Sequence, residues 1–139
     1  MSGIKTERES MNKLPVYFYM IGAFFAVCGM LWGLYMSATH NHMLSPAHGH
    51  LNLIGFVTMF IFGTYYALTP TAATSRLGSI HLVLSVLSVV TIAPGIALAL
   101  TGQTEILAKV GSLLTLLSML FFMFIMFRHG VGAKSTQNP

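Results

Sequence analysis

Four of the six histidines, His40, His42, His48 and His50, fall within eleven consecutive residues. Neutral imidazole is a common ligand for haem iron, zinc and copper, so a cluster of this kind at the edge of an apolar stretch invites a metal or haem reading. His48 and His50 open a run, residues 47–68, that carries no fixed charge. At about 100° per helical residue the two rings lie roughly 200° apart, on nearly opposite sides of the helix. They therefore cannot easily serve one common site. His40 and His42 repeat the His-x-His spacing in an uncharged loop. Together with His48 and His50 they could collect zinc or copper, set against the plainer role of solvated loop residues.

The elements that must position these side chains follow from composition. The chain has 139 residues, of which 55% are hydrophobic and only 7% charged, far below the roughly 25% charge of a soluble domain. This is an all-α, polytopic membrane protein with four expected transmembrane helices at about 15–37, 47–68, 77–100 and 106–127 in one membrane domain, between polar tails at 1–13 and 128–139. Pro46 marks a helix start and Pro70 a stop. Gly22, Gly29 and Gly33 lie near one face of the first span, where small residues let another helix approach closely. Ser85, Ser88 and Thr91 form a stripe on the third span and Ser112, Thr115 and Ser118 one on the fourth, so these spans are expected to be neighbours bonded through hydroxyls. Pro94 is expected to kink the third span.

The net charge of +4 comes from basic residues that flank the spans, which is the pattern of membrane topology, and nucleic-acid binding is excluded on that ground. With an even number of spans, Lys5, Arg8, Lys13, Arg76, Arg128 and Lys134 share one side and only Lys109 lies near the other. Both termini are thus expected in the cytoplasm of a cell inner or plasma membrane, with the histidine-rich loop facing outward. The first span is too long for a signal-peptide core and reads as an uncleaved anchor. Cys28 has no partner in the chain and reads as a small buried apolar residue.

Other chemistry-bearing residues have plainer readings. His81, near the start of the third span, suits capping or an inter-helix hydrogen bond better than ligation. His129 reads as an interfacial anchor. The ten methionines lack a Met-x-x-Met cluster facing a histidine, so they fill the core rather than carry copper. Trp32, Tyr17, Tyr19, Tyr35, Tyr65 and Tyr66 lie towards span ends and are expected at the membrane interface.

The second span also resembles the tenth helix of the catalytic subunit of haem-copper oxidases, most closely the C-type oxidases and nitric-oxide reductases. The resemblance rests on Ala47-His48-x-His50, Gly55-Phe56-Val57, Phe62-Gly63 and Tyr65-Tyr66 followed by Pro70. In that family the first histidine of the pair ligates the active-site haem and the second the low-spin haem on the other side of the helix. Its twelve helices form three pseudo-equivalent groups of four, and this chain looks like one group. The resemblance implies a homotrimer of this chain in the lipid bilayer, with a bis-histidine haem b between subunits, held by His48 and His50. Lys109 is the candidate partner for a haem propionate. Without Cys-x-x-Cys-His the haem is not covalently attached. Nothing matches the family's three-histidine copper site, so electron transfer to an unknown redox partner, or haem holding, is expected rather than oxygen reduction. The alternatives are a copper- or zinc-binding or assembly protein using His40, His42, His48 and His50, and a cofactor-free structural subunit.

Overall fold

The computed structural model describes residues 13–133; the N-terminal tail with Lys5 and Arg8, and Lys134, lie outside the described residues. Helices and turns make up the described chain, and no strand occurs among those residues. Helix α1 spans Leu14–Thr39, with Pro15 in its first turn, where the missing N–H costs nothing. His40 ends it in the left-handed region at φ 52°, its N–H bonding the Ser37 carbonyl at 3.3 Å. Helix α2 spans Ser45–Leu68. A one-turn α3 at Pro70–Ala73 leads to α4, Arg76–Leu100, whose start is capped by Ser75 Oγ accepting from the Gly78 N–H at 3.3 Å. Helix α5 runs Ile106–His129 and stops at Gly130, φ 73°.

These four long helices, α1, α2, α4 and α5, are each long and apolar enough to cross a membrane. Their outward surfaces agree with that environment. Phe24, Leu34 and Phe127 are 63%, 67% and 91% exposed, in the company of many other large apolar side chains. Such a surface would drive aggregation in water and is what hydrocarbon requires. Helix α4 continues through Pro94 as one element.

Glycines set how closely the helices approach. A Cβ at Gly95 would lie 2.5 Å from the Ala108 nitrogen, and one at Gly111 would lie 2.6 Å from the Ile92 Cα, so α4 and α5 touch backbone to backbone. This pair has the most extensive packing in the bundle. Between α1 and α2 the contact is instead backbone to side chain: Gly22 admits Phe60 and Met59, Gly29 admits Asn52, and Gly33 admits His48. Of the two hydroxyl stripes, one pair bonds across helices, Ser85 Oγ to Ser118 Oγ at 2.9 Å. Ser88, Thr91, Ser112 and Thr115 each donate to a carbonyl of their own helix.

The core has two clusters, a larger one near the end of the bundle that carries the chain termini and a smaller one of Phe25, Leu51, Val89 and Ala93 toward the other end. In the larger one the rings of Phe18, Phe62, Tyr66, Phe121 and Phe122 pack around His81, with Met59 and Ile125 buried in the same cluster. Tyr65 and Tyr66 stand near the end of α2, as their expected place at the membrane interface requires, but they face the bundle interior, at 6% and 1% exposure. Their hydroxyls explain why, since each finds an internal acceptor. Tyr65 Oη donates to the Gly130 carbonyl at 2.8 Å, fastening the end of α5 to α2, and Tyr66 Oη bonds His81 Nδ1 at 2.9 Å. Tyr17 and Tyr35 are exposed on the outer surface.

Candidate functional site

The two histidines of α2 sit in the first turns of the helix, immediately before a segment, Leu51–Thr58, that is wound as a π-helix. π turns are uncommon and concentrate at functional sites, because they re-aim the side chains beside them. The segment faces α1 and α4: a Cβ at Gly55 would meet Val89 at 2.9 Å and Phe25 at 3.0 Å.

His48 and His50 leave the helix in different directions and end in different surroundings. His50 Nδ1 lies 2.8 Å from the Pro46 carbonyl oxygen. A carbonyl can only accept, so Nδ1 carries a proton, and in the neutral ring Nε2 keeps its lone pair, with no partner among the described residues. A carbonyl on one nitrogen that fixes the tautomer and leaves the other nitrogen bare is the usual preparation of a histidine ligand.

His48 is turned toward α1. Its Nε2 lies 3.0 Å from the Gly29 carbonyl and 2.9 Å from Asn52 Nδ2, and its ring meets Trp32 edge-on at 6.2 Å. One nitrogen thus faces an acceptor and a donor. The protonated tautomer donates to Gly29, and the other accepts from Asn52, so Nε2 is engaged in either. Gly29 and Gly33 make room for this arrangement, since a side chain at Gly29 would collide with the Asn52 amide and a Cβ at Gly33 would crowd the imidazole at 3.2 Å. Asn52 and the Gly29 and Pro46 carbonyls escaped the sequence reading. The one available signal was Asn52 standing four residues after His48, on the same helix face.

The remaining candidates are apart from this pair. His40 and His42 are exposed, and His40 serves as the left-handed cap of α1. Among the described residues no three His, Cys, Asp or Glu side chains gather closely enough to hold a metal ion. Lys109 Nζ pairs with Glu105 Oε2 at 2.9 Å, one turn away, with both side chains largely exposed. The hydrogen bond and charge of Lys109 hold the Glu105 carboxyl below its ordinary pKa.

His81 lies in the opposite half of the bundle and is wholly buried. Its Nδ1 faces Tyr66 Oη at 2.9 Å and its Nε2 faces Ser118 Oγ at 3.4 Å. Ser85 Oγ donates its only proton to the His81 carbonyl at 2.8 Å, so the Ser85–Ser118 bond has Ser118 as donor. Ser118 must then accept from His81 Nε2–H, and Tyr66 O–H must donate to Nδ1. The direction of every proton in this chain follows from one hydroxyl's commitment, and His81 is a neutral, inter-helix hydrogen-bonding residue joining α2, α4 and α5.

No family model matches the chain, nor does any curated protein or solved structure.

Proposed function

We propose that this chain is a membrane haem-holding protein of the b-type cytochrome kind, related to the catalytic subunit of haem-copper oxidases. The observation that carries the reading is His50: its Nδ1–H is bound to the Pro46 carbonyl and its Nε2 is bare. In this reading His50 is the primary axial ligand. The outward surface of α2 beyond it, with Leu53, Val57 and Ile61 exposed, supplies an apolar wall for a porphyrin. Bound haem would carry single electrons, with a potential set by its axial ligands and apolar surroundings.

A single chain presents His50 outward and leaves one face of the ring uncovered. The reading therefore places the group between copies of the chain in a closed homotrimer, termini in the cytoplasm, with His48 of the neighbouring copy as the opposing ligand. For that, His48 must leave Gly29 and Asn52. One neutral hydrogen bond has a net worth of about 1 kcal/mol, a small sum beside an iron–imidazole bond. Lys109 is the cation nearest in role to a propionate partner, and it would exchange Glu105 for it.

The test is the ultraviolet–visible spectrum of the detergent-purified protein, oxidised and dithionite-reduced, with iron, copper and zinc quantified on the same sample. The expected result is a sharp reduced α-band with stoichiometric iron. His50→Ala should lose the iron, whereas His48→Ala should keep it and change from a six-coordinate to a five-coordinate spectrum. A colourless, iron-free protein after expression with ample haem overturns the proposal. Copper or zinc in its place would favour the metal-binding alternative.

A further inference from the structure

Between the π segment of α2 and the facing sides of α4 and α5 lies a cavity of about 340 Å³. Its wall is mostly apolar, with Leu53, Ile54, Phe62 and Met119, but five hydroxyls also line it: Thr58, Ser85, Ser88, Thr115 and Ser118. This size and this mixture, an apolar wall with a few polar groups, are those of a small-molecule site. The hydroxyls stand near the middle of their helices. At 1.5 Å per residue each is more than about 13 Å along the axis from either end, so a molecule reaching them comes through the hydrocarbon.

What the hydroxyls can offer is fixed by their own bonds. Thr58 donates to the Leu53 carbonyl, Ser85 to His81, Ser88 to Leu84 and Thr115 to Gly111, each at 2.8 Å. Ser118 donates to Ser85 at 2.9 Å. A hydroxyl has one proton and two lone pairs, so all five donors are engaged and only acceptor capacity is left. Ser85 already accepts from Ser118, and Ser118 from His81, so the lone pairs left over on Thr58, Ser88 and Thr115 are the ones an incoming O–H or N–H can use.

We propose that this cavity is a binding site for a neutral, lipid-soluble phenolic ring, the class that includes membrane hydroquinones. The ring fills the apolar part and its hydroxyl donates to the free lone pairs of Ser88 or Thr115. The site discriminates by donor: an aryl ether or a quinone, which only accept, lacks the one bond the cavity can make. This inference uses none of the residues proposed to ligate haem and shares only Leu53 with the apolar wall assigned to it; its readout, the difference between two probes, does not depend on haem being bound.

The test is fluorine NMR of the detergent-solubilised protein with para-fluorophenol and with para-fluoroanisole, empty micelles giving the partition baseline. Saturable binding of the phenol is expected, with the anisole about tenfold weaker, the worth of one buried hydrogen bond. The double variant Ser88→Ala, Thr115→Val should bind the two probes alike. Equal binding of both by the unaltered protein, or no saturable binding beyond the micelle baseline, would overturn the proposal without any variant. Persistence of the tenfold preference in the folded double variant would also overturn it. Occupancy of the cavity by water alone would show itself as the absence of saturable binding.

Discussion

A single ring nitrogen separates the two histidines of α2. His50 has a carbonyl on Nδ1 and nothing on Nε2, while His48 has Nε2 between a carbonyl and an amide. Spacing announced that they diverge, but not which would be tied down, because two of the three partners are backbone carbonyls, of Gly29 and Pro46, that any sequence supplies. The buried His81 was legible only as a choice between roles. Its outcome depended on Tyr66 and Ser118, which come from different helices. Tyr66→Phe keeps the ring packing with Phe18 but leaves Nδ1 without a donor. It should destabilise the protein by about 1 kcal/mol in reversible mixed-micelle unfolding, with haem content unaltered. By contrast, Lys109→Gln removes an exposed partner of an exposed carboxylate and should leave the unfolding midpoint where it was. The depressed Glu105 pKa gives a sign for pH. Any contribution of the pair is present above the ordinary glutamate range and fades as pH falls through the lower folded value, so the difference in midpoint between the protein and Lys109→Gln should be the same at pH 7 and pH 5.

At the scale of helices, hydropathy marked the four long elements plainly, since charge is confined to their flanks. The hydroxyl stripes pointed to α4 and α5 as neighbours, and these do pack together, although the bonds are one across and the rest within each helix. Hydroxyls in an apolar medium bond the nearest carbonyl, which is usually four residues back. The π winding of Leu51–Thr58, a segment packed against α1 and α4, had no signature in the sequence. The inward facing of Tyr65 and Tyr66 was illegible for a related reason: position along a span does not say which side of the helix faces the core. Glycine separates the interfaces by experiment. Gly111→Ala would drive a methyl into the backbone at Ile92 and should cost about 1–3 kcal/mol. Gly49→Ala meets nothing within 4 Å and should stabilise the helix by up to about 1 kcal/mol. Thermal unfolding of both variants in one detergent checks the pair.

Taken whole, the molecule shows a lipid-facing apolar exterior and a core in two clusters, the larger at the terminal end of the bundle. An exterior of this kind has no stable state in water, so removal of detergent below its critical concentration should precipitate the protein unless lipid replaces it. The proposed trimer belongs to this scale too. Mass measurement of the native protein from detergent should give three chains when the haem is present, and His50→Ala should shift the distribution toward single chains. A monomer that nonetheless holds stoichiometric haem would retain the cofactor reading and remove the ring.

The two ways in which the helices touch also set how the bundle would come apart under load. Helices α4 and α5 meet backbone to backbone at Gly95 and Gly111 and are joined by the turn at residues 101–105, whereas α1 holds α2 through side chains seated against its glycines. Backbone contacts of that sort cannot be loosened by turning a rotamer; side-chain contacts can. A cantilever drawing the C-terminus out of a bilayer should therefore record α5 and α4 leaving as one hairpin in a single high-force event, followed by α2 and α1 in weaker, separable steps.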